Sequence, residues 1–218
     1  SAYTDYAEML ERERPDAVFI VTSYREDGRV QATEIALDCM RRGAHVWMEK
    51  PAAASVSEVE ELIETSRQTG KFVLVGLKKM FFPSVEKVKR IIGSDDFGRP
   101  TSIYVRYPQS MPPLEERGDP RKMISLLDHI YHPAAIIQYL MGNIARMSYE
   151  RDAVGGGSVT NLRFESGAVG TLHMVPRLGA GSPLERLEVT GEGANVIVDN
   201  GVKVTYYRNS RGKGLGYG

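Results

Sequence analysis

The sequence has little of what several classes of protein require. It holds one cysteine, Cys39, among 218 residues, so no disulfide can form within the chain and a reducing, cytoplasmic location is expected. No apolar run approaches the ~20 residues that a membrane-spanning helix needs. The 28 basic and 28 acidic residues cancel, which gives no electrostatic reason to expect binding to nucleic acid or to an anionic membrane.

A standard phosphate-binding motif is also missing. No G-x-G-x-x-G follows a predicted strand and opens a helix, as the site for a dinucleotide pyrophosphate requires. Gly191-Glu-Gly193 lies between two predicted strands, and Gly212-Lys-Gly214 lies in a glycine-rich tail. Because the chain starts at Ser1 and stops in that tail, we expect a fragment that lacks an N-terminal segment and is incomplete at its C-terminus.

The first half of the chain alternates helix and strand patterns. Apolar runs at 16–21, 45–48 and 71–75 are typical of strands buried on both faces. Helical patterns separate these runs, and Gly43 and Gly70 stand where a helix ends. Strands and helices in this order predict a parallel sheet with crossover helices. The predicted helices cover residues 6–12, 28–42, a segment capped by Ser55 or Ser57, and 83–92.

Residues 93–100 form a predicted boundary, and the pattern changes beyond it. One helical segment covers 123–141, and short alternating runs at 101–107, 158–164, 168–174, 184–190, 195–198 and 202–207 predict strands. The fold class is therefore α/β, with a partial Rossmann-type parallel sheet followed by an α+β domain that has a mostly antiparallel open sheet. The predicted domains are 1–97 and 98–218.

Polar residues follow the predicted parallel strands, at the edge of the sheet where ligands bind in such folds. Glu49-Lys50-Pro51 is the most informative of these segments, because a lysine before proline has a restricted backbone and can precede a cis peptide. A lysine held in this way can donate a hydrogen bond to a substrate hydroxyl. The alternative is that the strand-end lysines simply reach solvent.

A second constellation is Asp128 and His132, which share a helix face if the helix is regular. A carboxylate beside an imidazole orients it and supports general acid–base chemistry. A core histidine or a surface ion pair is the alternative, and Pro133 is a candidate start for the regular helix. By spacing alone, His129 could bind a metal together with Asp128 and His132, but no metal site is predicted.

These elements resemble the Gfo/Idh/MocA oxidoreductases, the glucose-fructose oxidoreductase and inositol dehydrogenase family. Residues 36–51 resemble the helix, glycine, strand and Glu-Lys-Pro signature of the family almost position for position. Residues 126–132 resemble its Asp-x-x-x-His helix, which 139–142 would close. The resemblance spans residues 4–142, and the strand-rich remainder fits the sheet domain of the family.

The resemblance implies a hydride-transferring enzyme that uses NAD or NADP, binds a small carbohydrate-like substrate such as a sugar, cyclitol or related polyol, and forms a homo-oligomer through the sheet of its second domain. Lys50 would contact the cofactor and the reacting hydroxyl, His132 would exchange the proton, and Asp128 would orient the histidine or the substrate. The remaining implied contacts are Thr22, Ser23, Glu49 and Pro51 with the cofactor, and Lys79 with the substrate.

The sequence also departs from the family. The loop after Thr22 lacks the usual proline and histidine, and the glycines expected before the Asp-x-x-x-His segment are replaced by residues 122–124. A second family aspartate falls at Ala135. Without a phosphate-binding loop, the chain alone is expected to be inactive. Two alternatives therefore stay open, a non-catalytic protein that senses a nucleotide or sugar on the same fold, and an isolated sheet domain used for assembly.

Overall fold

The computed structural model describes residues 2–176, 178–179, 181–182 and 184–208. Gly212-Lys-Gly214 and the predicted glycine-rich tail lie outside these residues. The chain divides into two compact units, one made of residues 1–77 and 116–128 and the other of 78–115 and 129–218. Among the described residues, no helix is both long and apolar enough to cross a membrane.

The first unit combines a three-stranded parallel sheet with the first three helices of the chain. The strands run in the order β1-β2-β3, with Val18 beside Val46 and Val46 beside Val73. This arrangement confirms the predicted Rossmann-type parallel sheet. Asp5 and Ser55 accept hydrogen bonds from the first-turn N–H groups of the first and third helices. The elements are α1 (Tyr6–Glu13), β1 (Ala17–Ile20), α2 (Ala32–Arg41), β2 (His45–Met48), α3 (Val56–Thr69) and β3 (Val73–Val75).

The prediction that these strands are buried on both faces was wrong. The three helices share one apolar cluster with alternate strand residues such as Ile20 and Met48. The intervening side chains point to the opposite face, where Phe19 is 73% exposed and Leu74 57% exposed. A continuous apolar run is typical of a strand that packs against other elements on both faces. The described helices, by contrast, contribute to a core on one face of this sheet only.

Cys39 lies at the centre of this cluster and is fully buried. Burial raises the pKa of its thiol to about 11, and the neighbouring carboxylate of Asp38 acts in the same direction. The thiol is therefore un-ionised at neutral pH and behaves as a small apolar side chain. Cys39 therefore contributes to the packing of this core.

Helix α2 begins four residues later than predicted. Residues 24–30 instead form a short hairpin, in which Tyr24 pairs with Val30 in an antiparallel bridge. Gly28 adopts φ +82° at its tip and donates its N–H to the Arg25 carbonyl at 2.8 Å. A positive φ is incompatible with a helix interior and is readily adopted only by glycine, so the helix cannot extend back to residue 28.

The second unit is built on a seven-stranded sheet of order β10-β9-β8-β4-β7-β6-β5. All neighbours are antiparallel except β4 and β7, which confirms the mostly antiparallel prediction. The elements are α4 (Pro83–Ile92), β4 (Pro100–Tyr107), α5 (Pro120–Met141), β5 (Ile144–Arg151), β6 (Ser158–Phe164), β7 (Val169–Met174), β8 (Arg186–Gly191), β9 (Ala194–Asp199) and β10 (Lys203–Arg208). Residues 120–128 of α5 belong to the first unit and the remainder to the second.

Helix α4 belongs to the second unit, although its residues precede the predicted domain boundary after residue 97. Its Ser84 hydroxyl donates to the Gly201 carbonyl at 2.6 Å, and the helix contacts β9. These contacts arise from residues more than a hundred positions apart, which local sequence patterns do not reveal. The proposed division after residue 97 stays a prediction.

Candidate active site

A cavity of about 280 Å³ lies at the carboxyl ends of β1 and β2, within the first unit. Parallel strands of this kind place their ligand sites at that edge. The lining combines aliphatic side chains with hydroxyl, carboxylate and ammonium groups, as small-molecule sites do. Its residues are Ile20, Val21, Thr22, Ser23, Tyr24, Val30, Ala32, Glu49, Lys50, Pro51 and Asp128.

Lys50 projects into this cavity two residues after β2 ends at Met48. The Lys50–Pro51 peptide bond is cis, as the sequence allowed. The side chain is only 19% exposed, and its Nζ lies 3.4 Å from Asp128 Oδ1. The Glu49 carboxylate accepts the backbone N–H of Lys50 at 3.3 Å. The structure thus brings two of the predicted catalytic residues together across 78 positions of sequence.

Asp128 receives a second hydrogen bond that the sequence did not predict. The Tyr24 hydroxyl donates to Asp128 Oδ1 at 2.9 Å, in a half-buried contact. Tyr24 belongs to the segment after Thr22 that departs from the family pattern. That departure was the only signal available, because nothing in the local sequence indicates that a hairpin will fold back toward residue 128.

His132 lies one turn after Asp128 in α5, and it belongs to the second unit. Its side chain is 5% exposed. Pro133 falls inside the helix and does not begin it. Because proline has no N–H, it cannot donate to the carbonyl of His129, yet α5 continues to Met141. Asp128 and His132 therefore keep the four-residue spacing of one continuous helix.

Lys79, the predicted substrate contact, lies in the second unit in a 3₁₀ turn, Lys78–Phe81. Its Nζ lies 3.1 Å from the Tyr107 hydroxyl and pairs with the Glu185 carboxylate. Burial opposes the charge, but the hydrogen bonds to Glu185 and Tyr107 outweigh it and raise the pKa of the Lys79 ammonium. The ammonium is thus already engaged by protein groups, and a contact with substrate stays a prediction.

The cavity fits one end of a nicotinamide cofactor. Ile20, Val21 and Val30 offer an apolar wall for a flat ring, while Thr22 and Lys50 can donate hydrogen bonds to an amide or a ribose. The predicted cofactor contacts Ser23, Glu49 and Pro51 line the same cavity. Across the described ranges, no glycine-rich turn connects a strand to a helix as a pyrophosphate site would, and no group of three or more metal-binding side chains is present.

Comparison with known proteins identifies both parts of the chain. Residues 1–77 match the GFO/IDH/MocA family described as "Oxidoreductase family, NAD-binding Rossmann fold". Residues 85–197 match the family described as "GFO/IDH/MocA C-terminal domain". Together these matches cover most of the chain.

Individual relatives agree with this assignment. A myo-inositol 2-dehydrogenase from Thermotoga maritima is 25% identical in an alignment 215 residues long, which covers 91% of this chain and 61% of that protein. The structure resembles an NAD-binding oxidoreductase from Klebsiella pneumoniae with a TM-score of 0.81 at 20% identity, covering 97% of this chain and 62% of the other. It also resembles an inositol dehydrogenase homologue from Azotobacter vinelandii, complexed with NADH and myo-inositol, with a TM-score of 0.75 at 19% identity and coverages of 97% and 59%. The chain therefore spans about three fifths of the length of the relatives it matches.

Proposed function

Because this chain belongs to the GFO/IDH/MocA oxidoreductase family, we propose that the whole protein transfers a hydride between NAD or NADP and a secondary alcohol or ketone of a sugar, cyclitol or related polyol. The observation that carries the proposal is the contact of Lys50 with Asp128 in the cavity at the strand ends. A lysine that only reached solvent would not be 19% exposed and lining a cavity with a carboxylate.

In the proposed reaction, Lys50 binds the hydroxyl of the substrate. Its ammonium donates a hydrogen bond to the reacting oxygen and favours the alkoxide-like form as the O–H bond weakens. Asp128 pairs with the Lys50 ammonium and fixes the direction of its side chain. A nicotinamide bound in the cavity that Thr22 and Lys50 line would supply the hydride acceptor for oxidation of the alcohol, or the hydride donor for reduction of the ketone.

His132 completes the proposed set by holding the proton. During oxidation the imidazole accepts the hydroxyl proton, and during reduction it returns that proton to the carbonyl oxygen. This role for His132 rests on the family resemblance and on its place in the helix.

Self-association through the seven-stranded sheet is part of the same proposal. One face of that sheet is open between β5 and β8 and carries exposed apolar side chains such as Met147 and Val169. A second copy of the chain would bury them. Sedimentation of the complete gene product should show a species larger than the monomer, and a purely monomeric protein would contradict this part of the proposal.

Calorimetric titration with NAD and NADP is the first test. We expect the complete product of the gene to bind at least one dinucleotide, and the 218-residue chain alone to bind weakly or not at all, because no described residue forms a pyrophosphate site. Turnover is then measured with a panel of polyols and sugars. If neither protein binds either dinucleotide, the cofactor assignment is wrong, and the non-catalytic sensing alternative takes its place.

A further inference from the structure

We infer that Tyr24 is a positioning residue, which holds the Asp128 carboxylate so that Lys50 is aimed into the cavity. The inference rests on the proposed function and deepens it by adding a residue to the same site. Nothing in the sequence pattern assigns Tyr24 a role, since it lies in the segment where the chain departs from its family. Tyr24, Lys50 and Asp128 all belong to the first unit.

Tyr24 and Lys50 converge on the same atom of Asp128. The Tyr24 hydroxyl lies 2.9 Å from Asp128 Oδ1, and Lys50 Nζ lies 3.4 Å from that oxygen. A phenol that donates to a carboxylate forms a charge-assisted hydrogen bond, which is stronger and more directional than a neutral one. The shorter hydrogen bond, from Tyr24, therefore fixes the position of the Asp128 carboxylate. The carboxylate in turn sets the direction of the Lys50 side chain.

The hairpin of residues 24–30 fixes the backbone from which the Tyr24 side chain extends. The Tyr24–Val30 bridge is extended by a hydrogen bond from the Arg25 N–H to the Arg29 carbonyl at 2.9 Å. The Gln31 side-chain amide donates to the Ser23 carbonyl at 2.9 Å. These bonds close the base of the hairpin, so the Cα of Tyr24 cannot move away from the cavity without breaking them.

The tip of the same hairpin packs directly against α5. A Cβ added at Gly28 would lie 2.5 Å from the backbone nitrogen of Arg121 and 2.8 Å from its Cα. Only a residue without a side chain allows so close an approach. Arg121 and Asp128 are seven positions apart, about two helical turns. The hairpin thus lies along α5 and meets it at two points, and Tyr24 is the contact that reaches the site.

A double-mutant cycle tests whether Tyr24 acts through Asp128. Tyr24→Phe keeps the ring and removes only the hydroxyl, and we expect it to lower kcat about tenfold, the lower end of the range for a hydrogen bond to a charged group. The KM for the dinucleotide should stay unchanged. In an Asp128→Ala background the same change should cost less than about twofold, because its partner is already gone. An equal loss in both backgrounds would overturn the inference.

The matched control is Tyr139→Phe. It removes another half-buried phenol-to-carboxylate bond of 2.9 Å, from Tyr139 to Glu86 in the second unit. This variant should keep wild-type kcat, and a comparable loss there would mean that the Tyr24 effect is general destabilisation.

A double-mutant cycle of stability tests the inference independently of the proposed function. The urea midpoint of unfolding is measured for the wild type, both single variants and the double variant, whether or not the protein turns over a substrate. If Tyr24 holds Asp128, its removal should lower the midpoint less when Asp128 is already alanine. If the wild type turns over no substrate, the proposed function fails, and this coupling still decides the contact. If the shifts in urea midpoint of the two single variants add up strictly in the double variant, the inference about Tyr24 is refuted.

Discussion

Lys50→Ala is expected to abolish hydride transfer by the complete gene product, with a fall in kcat of at least about 10³-fold, while leaving the protein folded. Lys50 is the only cation among the residues that line the described cavity, and its Nζ is held by Asp128 at 3.4 Å. Removing it leaves the developing negative charge on the substrate oxygen without a partner. We expect the variant to fold, because the Asp128 carboxylate is 33% exposed and keeps its hydrogen bond from Tyr24 when Lys50 is removed.

Initial rates with the best polyol of the panel, together with dinucleotide binding by calorimetry, measure this effect. Lys50→Arg is informative beside it, because the guanidinium keeps the charge but cannot place a compact ammonium at the same point. We expect a severe loss in that variant too. Lys87→Ala, which removes an exposed lysine of α4, serves as the control and should retain full activity. Full activity in Lys50→Ala would remove the proposed mechanism altogether.

The alternation of strand and helix predicted the parallel sheet, because apolar runs and helix-ending glycines are local signals. Which faces are covered is not a local property. Phe19 has the same sequence character as a core residue, but it is 73% exposed because the described core forms on the other side of its strand. Strand β5 was not predicted, although residues 146–150 alternate polar and apolar side chains. Even its apolar members Met147 and Tyr149 are exposed, so this strand too shows that exposure does not follow from the local pattern.

The site shows the same division between local and distant information. Glu49-Lys50-Pro51 could be found from the sequence because a strand end, a lysine and a proline are adjacent. Asp128 was a candidate because of its spacing from His132, but nothing local showed that it lies beside Lys50, since 78 positions separate the two side chains. Tyr24 could not be found by either route. Its contact depends on Gly28 at the hairpin tip, where a positive φ and the close backbone of α5 must be satisfied together.

The second large effect is expected for His132→Ala, which should lower kcat by roughly 10²–10⁴ if His132 holds the proton. The pH dependence of the rate distinguishes a catalytic role of His132 from a role in packing. The wild-type rate of oxidation should fall at acidic pH, because a protonated imidazole cannot accept the hydroxyl proton, and the rate of reduction should fall at alkaline pH for the converse reason. Both dependences should flatten in the variant, which initial rates from pH 5 to 10 would show.

Two further variants make this result interpretable, because His132 is 5% exposed and its truncation leaves a cavity. His132→Gln keeps most of the volume and a hydrogen-bonding group but cannot exchange a proton near neutral pH, so it should be as slow as alanine yet closer to wild type in thermal stability. His129→Ala, on the exposed side of the same helix, should leave the rate unchanged. A glutamine variant with wild-type kcat would return His132 to a structural role and leave Lys50 and Asp128 to carry the proton by way of solvent.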